Sequence, residues 1–220
     1  MKKYQYIFWD LDGTMINTYE GIANCIRYAL EPYGITVEDG PEMNKLIGPP
    51  LRQTFQETFG MTAEQAEAAV WRYRERYIPV GVYECDIFPG VKEAIARFHE
   101  AGCIQVVTSS KPEPQCREIL KKYDILEEFE EVVGASLDGR IDTKIQVLNE
   151  AFRRMRERDE NLVKQQVVLI GDTRYDAVGA REAGIDCLGI TYGFGTSEEL
   201  LENGAKAVYP DLKTLQDAIL

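Results

Sequence analysis

A doubly wound α/β fold, with a mainly parallel, Rossmann-like sheet and an α-helical domain inserted near its start, is the architecture this sequence predicts. Three patterns point to it. Short apolar runs rich in β-branched residues recur along the chain, as expected of buried parallel strands. Helical patterns separate most of them. One long stretch near the beginning carries helical patterns but no convincing strand.

The expected strands are Tyr6–Trp9, Ile104–Thr108, Glu131–Gly134, Val167–Gly171, Cys187–Ile190 and Ala207–Tyr209. Between them, Val91/Ala94/Ile95/Phe98, Cys116/Ile119/Leu120/Tyr123 and Val147/Leu148/Ala151/Phe152/Met155 keep the i, i+3, i+4 spacing of one buried helix face. From about Met15 to Cys85 this alternation stops. Ile22/Ile26/Ala29/Leu30/Tyr33 and Ala66/Ala69/Val70/Tyr73/Tyr77 form two amphipathic helices there, with Gly48-Pro49-Pro50 as a rigid turn between them. The reading is an α/β core domain of residues 1–14 and 86–220, with an inserted helical domain over 15–85. The second crossing lies near Val82–Phe88, before the Pro89-Gly90 turn.

Bulk composition removes several classes of function. The 220 residues hold 25 basic and 37 acidic side chains, a net charge of −12. No Lys/Arg block concentrates positive charge, so nucleic acid is not an expected partner. A metal ion can still invert the field locally, so phosphate chemistry is not excluded. Cys25, Cys85, Cys103, Cys116 and Cys187 are odd in number and form no C-x-x-C pair, which argues against a disulfide framework or a zinc site and for thiols in a reducing cytosol. Met-Lys-Lys runs directly into Tyr4–Asp12 without a signal-like apolar stretch, and no 18-residue apolar run occurs. A cytoplasmic protein without membrane association is expected, as monomer or homodimer. The single histidine, His99, belongs to a helical pattern away from any nucleophile and is read as a surface or helix-end residue.

Chemistry concentrates at two strand ends. Tyr6-Ile-Phe-Trp-Asp10-Leu-Asp12-Gly13-Thr14 is a buried strand that stops at two carboxylates and a glycine. Ligands of open α/β sheets bind at the carboxyl ends of the strands, where these residues fall. Val167-Val-Leu-Ile-Gly171-Asp172-Thr-Arg-Tyr-Asp176 repeats the arrangement, with Asp172 on the turn and Asp176 opening the next helix. Helix capping or turn formation explains either pair alone. Together, four carboxylates at two strand ends would repel strongly without a cation, and oxygen-only donors favour Mg²⁺ over zinc.

At these residues the sequence resembles the haloacid dehalogenase-like hydrolase superfamily, whose phosphatases carry D-x-D-G-T after the first strand and a later G-D-x-x-x-D. Both motifs are intact here, at Asp10–Thr14 and Gly171–Asp176. The helical insertion resembles that superfamily's C1 type of cap. Ile47-Gly-Pro-Pro-Leu51 and the general layout look most like its phosphoglycolate phosphatase-like branch, which also includes 5′-nucleotidases.

The resemblance implies a Mg²⁺-dependent phosphatase acting on a small phosphorylated metabolite. Asp10 would attack phosphorus and form an aspartyl-phosphate. Asp12 would act as acid and then as base. Mg²⁺ would be held by Asp10, the backbone carbonyl of Asp12 and Asp172, with Asp176 holding bound water or orienting the loop. It further implies a phosphate-binding hydroxyl and lysine. Val106-Val-Thr108-Ser109-Ser110-Lys111-Pro112 offers the hydroxyl, and family spacing selects Ser109, with Ser110 beside it and Thr108 as the alternative. Lys144, in the first turn of its helix, is the expected lysine, with Lys111 as the alternative. A cation at a helix N-terminus runs against the dipole, which favours a task over packing. Substrate choice would fall to the cap, at Gly48, Pro49 and Arg52. A 5′-nucleotidase, a phosphomutase, or a regulatory phosphate-binding protein on the same fold are the alternatives. Asp12 argues against a dehalogenase, which needs no second acid there.

Overall fold

A computed structural model of the chain describes residues 3–220. Two compact units emerge, one from the residues up to Ile16 together with Ile87–Leu220, the other from Asn17–Asp86.

The first unit is built on six parallel strands: β1 (Tyr6–Trp9), β4 (Ile104–Pro112), β5 (Glu131–Ala135), β6 (Val167–Gly171), β7 (Asp186–Ile190) and β8 (Ala207–Tyr209). Their order across the sheet is β5-β4-β1-β6-β7-β8. The chain starts at the centre, winds out to one edge, returns, and winds out to the other. The topological switch point, where a doubly wound sheet opens a crevice, therefore lies between β1 and β6. Register there is direct, with Trp9 opposite Ile170 on one side and opposite Val107 on the other.

All four residues of β1 are buried, which fits a central strand covered on both faces. One face carries Tyr6 and Phe8, packed with Val106, Val133, Val167 and Leu169 against α7 (Lys144–Arg158) and α8 (Arg174–Ala183). The Phe8 and Phe152 rings lie 5.4 Å apart there. On the opposite face Trp9 meets Phe98 of α5 (Val91–Glu100) edge-on at 5.7 Å. The Trp9 indole N–H donates to Gln105 Oε1 at 3.1 Å, and Gln105 Nε2 donates to the Ile95 carbonyl at 3.0 Å, so this buried amide satisfies both strand and helix. From α10 (Leu212–Ile219), Gln216 donates to the Ala94 carbonyl at 2.8 Å. The unit is completed by α6 (Glu113–Lys122) and α9 (Ser197–Glu202).

Helix starts follow local chemistry. The side chains of Thr143 and Gln146 form a capping box that opens α7, so Lys144 is the first helical residue. Thr173 and Asp176 do the same for α8.

The second unit is helical: α1 (Tyr19–Leu30), α2 (Pro41–Asn44), α3 (Leu51–Phe59) and α4 (Ala63–Tyr77). A Thr62–Gln65 capping box starts α4. Arg76 and Glu84 form a two-pronged ion pair at 2.7 and 2.9 Å, closing the unit's last turn.

Two details differ from the sequence reading. The β4 strand continues past Thr108 to Pro112 through a register shift between Ser109 and Pro112. A two-residue strand, β2 (Ile16–Asn17), opens the segment read as strand-free, and it pairs with a second, β3 (Asp86–Ile87), that directly follows the segment. Strands that short leave no period-two pattern to detect.

Candidate active site

Past Trp9 the chain continues the ladder for one more residue, with Asp10 N donating to the Ile170 carbonyl at 2.8 Å. It then folds back at once. Met15 N and Ile16 N both reach the Leu11 carbonyl, at 3.0 and 2.9 Å, and Gly13 N donates to Ile16 O at 2.8 Å. Gly13 has φ +87°, and a β-carbon there would fall on the Asp172 carboxylate. A β-carbon at Gly193, in the loop after β7, would fall on the same group. Glycine on two sides lets backbone close around Asp172. Thr14 Oγ1 donates to its Oδ1 at 2.9 Å and Phe194 N to its Oδ2 at 2.8 Å.

Asp10, Asp172 and Asp176 are all buried, and one oxygen of each lies within 4.8 Å of the others. A single ammonium, Lys144 Nζ, stands among them. It forms an ion pair with Asp10, another with Asp176 at 2.7 Å, and donates to the Thr108 carbonyl at 2.9 Å. Three carboxylates thus face one lysine, and the site carries surplus negative charge. Burial, followed by repulsion from Asp176, pushes the Asp10 carboxyl up to about 7 despite Lys144. Asp172 is lifted well above the usual carboxylate range by burial and by Asp176 and Asp10, against the bonds from Phe194 and Thr14. For Lys144, burial works against the charge, but Asp10 and Asp176 outweigh it and raise the group above its ordinary value. Hard oxygen donors, excess negative charge and a glycine-lined enclosure around Asp172 fit a divalent cation of the Mg²⁺ kind.

The side chain of Asp12 lies outside that trio. Its Oδ2 is 3.0 Å from Lys111 Nζ, both side chains being largely buried, while its Oδ1 makes no hydrogen bond among the described residues. Asp176 stands in the trio instead. Its Oδ2 also accepts from Thr173 N at 3.0 Å and Thr173 Oγ1 at 2.8 Å, so it caps α8 as it faces the cluster. Of the hydroxyls, Thr108 donates to the Trp9 carbonyl at 3.3 Å, Ser109 Oγ accepts from Lys111 N at 3.2 Å, and Ser110 is half-buried beside them.

A haloacid dehalogenase-like hydrolase family model matches residues 7–190, which span both acidic strand ends. The chain belongs to that family. Among curated relatives, the haloacid dehalogenase-like chain is 34% identical to a 5′-nucleotidase of Pseudomonas aeruginosa, over 99% of its own length and 96% of that protein. It is also 34% identical to the tyrosine-protein kinase PtkA of Mycobacterium tuberculosis, over 88% of its length and 64% of the kinase. Identity to a phosphoglycolate phosphatase of Vibrio cholerae is 25%, covering 100% and 99%. A crystal structure of a predicted phosphatase from Clostridium acetobutylicum superposes with TM-score 0.91 at 33% identity, each chain covered to 98%. The protein is a hydrolase of this family's phosphatase kind.

In this haloacid dehalogenase-like hydrolase, Gly48, Pro49 and Arg52 belong to the helical unit. Gly48 has φ +108°, and Pro49-Pro50 leads into α3. Arg52 Nε donates to Glu67 on α4 at 2.7 Å, and both side chains are exposed. His99 is an exposed residue near the end of α5, 3.7 Å from Glu128. All five cysteines are buried thiols. No helix among the described residues is long and apolar enough to cross a membrane.

Sequence reasoning gave no role to Thr14 or to the Gly193-Phe194 loop, which between them grip Asp172. The signal was present: Gly193-Phe194-Gly195 in the loop just past the end of β7, the strand next to β6.

Proposed function

We propose that this protein is a Mg²⁺-dependent phosphatase of small phosphate monoesters that works through an aspartyl-phosphate on Asp10. The observation that carries the reading is the buried Asp10–Lys144–Asp172–Asp176 cluster at the switch point, with three carboxylates against one lysine. Asp10 attacks phosphorus while the bond to the leaving oxygen breaks, and Asp12 gives that oxygen its proton. Water then attacks the phosphorus, its proton goes to Asp12, and Asp10 departs as a carboxylate with phosphate released. Lys144 holds the phosphate oxygens and keeps Asp10 oriented. Ser109, with Ser110 next to it, supplies the hydroxyl, a choice supported by the Thr108 hydroxyl already serving the Trp9 carbonyl. Mg²⁺, held by Asp10, Asp172 and the Asp12 backbone carbonyl with support from Asp176, would neutralise charge on nucleophile and phosphate. Gly48, Pro49 and Arg52 are the residues of the helical unit proposed to select the leaving group. Their substitution is expected to change the ranking of substrates rather than the rate on p-nitrophenyl phosphate.

A second reading is favoured by one finding: the 34% identity over nearly the whole chain to a protein named as a 5′-nucleotidase exceeds the 25% to one named as a phosphoglycolate phosphatase. The experiment is phosphate release with Mg²⁺ from phosphoglycolate, nucleoside 5′-monophosphates and p-nitrophenyl phosphate, by wild type and Asp10→Asn. Wild type turns over at least one ester and the variant none. Equal release by the two proteins would overturn the mechanism. The substrate with the highest kcat/KM separates the two readings, and transfer of phosphate to a tyrosine peptide rather than to water would replace both.

A further inference from the structure

Two buried lysines stand at the ends of the central strands, and the mechanism above uses only one. Lys144 serves Asp10 and Asp176. The other, Lys111, lies against the second carboxylate of the same motif, its Nζ 3.0 Å from Asp12 Oδ2, with side-chain exposures of 6% and 17%. Surface ion pairs are common and weak, but a lysine withdrawn from water this far needs a compensating partner.

The backbone around Lys111 is built to hold it there. Where β4 pairs with β5, the register shifts between Ser109 and Pro112, so the strand swells beside Lys111. Lys111 N donates to Ser109 Oγ at 3.2 Å, and the Cys116 thiol donates to the Lys111 carbonyl at 3.5 Å. On β5, a β-carbon at Gly134 would strike the Lys111 carbonyl and the Glu113 amide, so glycine there is what lets the swollen segment pack down. Pro112 then fixes the entrance to α6. Each device restrains the stem of a side chain whose tip meets one oxygen of Asp12.

We infer that Lys111 is a positioning residue for Asp12: by holding Oδ2 it fixes the rotation of the carboxyl group and leaves Oδ1, which is buried and without a hydrogen bond among the described residues, as the oxygen that carries the transferred proton. The inference rests on the proposed acid–base role of Asp12. Lys111 keeps its own proton throughout. In the first half-reaction the Oδ1 proton passes to the leaving oxygen as its bond to phosphorus breaks and the Asp10–phosphorus bond forms. In the second, Oδ1 receives a proton from the attacking water. A carboxyl group free to rotate would present either oxygen, and part of the alignment that general acid catalysis depends on would be lost.

The test uses the dependence on leaving group, because p-nitrophenolate departs without protonation whereas an alkoxide does not. The full-length Mg²⁺-loaded enzyme, Lys111→Met, Lys111→Gln, Lys111→Arg and Asp12→Asn are compared by kcat/KM on p-nitrophenyl phosphate and on glycerol 2-phosphate, with inhibition by inorganic phosphate as a measure of phosphate binding. Lys111→Met and Lys111→Gln are expected to lose about 100-fold on the alkyl ester and less than about 5-fold on the aryl ester, within the range that general acid catalysis contributes. Phosphate inhibition is expected to stay within about 3-fold, and Lys111→Arg, which keeps a cation beside Asp12, to restore most of the alkyl activity. Equal losses on both esters, with weaker inhibition by phosphate, would make Lys111 a phosphate ligand and overturn the inference. So would unchanged kinetics in both neutral variants. Asp12→Asn separates the two levels: if it lacks the selective alkyl defect, the acid role of Asp12 fails. If it has that defect and the folded Lys111 variants do not, the role of Lys111 fails alone.

Discussion

The Thr14 hydroxyl donates to Asp172 Oδ1 across 158 positions of sequence, joining the turn after β1 to the turn after β6 at the point where the sheet divides. Thr14→Val keeps the shape and removes the donor. It is expected to weaken Mg²⁺ binding by about 10- to 100-fold, the range seen when the outer partners of metal ligands are lost. Calorimetric titration of Mg²⁺ into wild type and variant measures it, with the melting temperature in chelator as the check on folding.

Asp172 is crowded by Asp176 and Asp10 in a buried setting, so charge at this position opposes folding until a cation arrives. In chelator, Asp172→Asn is therefore expected to melt at or above wild type, by about 2–4 °C for a gain of ~1 kcal/mol in a domain of this size. Added Mg²⁺ raises the wild-type midpoint by mass action and leaves the variant's unchanged. Thermal melts with and without Mg²⁺ give both numbers. A variant that melts lower in chelator and still responds to Mg²⁺ would contradict the prediction.

The Trp9–Gln105–Ile95 relay lies buried in the core between β1 and α5. Gln105→Met fills similar volume but leaves the indole N–H and the Ile95 carbonyl without that partner. Unsatisfied buried groups cost about 1–3 kcal/mol each, so a loss of roughly 2–6 kcal/mol in denaturant unfolding is expected. Since Trp9 adjoins Asp10, a modest fall in kcat accompanies it.

Asp186, at the start of β7, receives Lys206 Nζ at 2.6 Å, Tyr4 Oη at 2.5 Å and Lys3 Nζ at 3.2 Å. Burial works against its charge, but these donors outweigh burial and hold the carboxyl down at about 2. A carboxyl depressed in the folded state stabilises the fold above its unfolded value, near 4, and loses that contribution as pH falls towards 2. Asp186→Asn is expected to cost on the order of 1 kcal/mol or less at pH 7, because the group is partly exposed and screened by salt, and nothing by pH 2. Urea midpoints measured at pH 7, 4 and 2.5 follow the difference closing.

Much of this molecule was legible before its structure. The β1 and β6 runs are apolar at every position, which is the signature of central parallel strands, and both end in acidic residues, of which the switch point brings Asp10, Asp172 and Asp176 together. The place of Lys144 at the start of α7 is legible from the helical pattern after it and from family spacing, while the Thr143–Gln146 capping box that opens the helix emerges only with the structure. What escaped depended on contacts between distant segments. The partnership of Lys111 with Asp12 needs the bulge in β4 and the close approach of Gly134, neither of which leaves a periodic trace. Thr14 has no role of its own in the sequence until Asp172 is placed beside it. Asp176 is expected from the sequence to hold bound water or orient the loop; only the fold shows that its carboxylate caps α8 and faces Lys144 as well.

The central position of β1 also bears on synthesis. Its four residues leave the ribosome well before their neighbours, Ile104–Val107 and Val167–Ile170, are translated. At ~5–20 residues per second, a Tyr-Ile-Phe-Trp segment waits roughly ten to thirty seconds for its second neighbour. During that time it is bare strand edge and aromatic surface, the kind of segment chaperones shield. The nascent chain is catalytically inert for the same interval, because Asp172 has not been made.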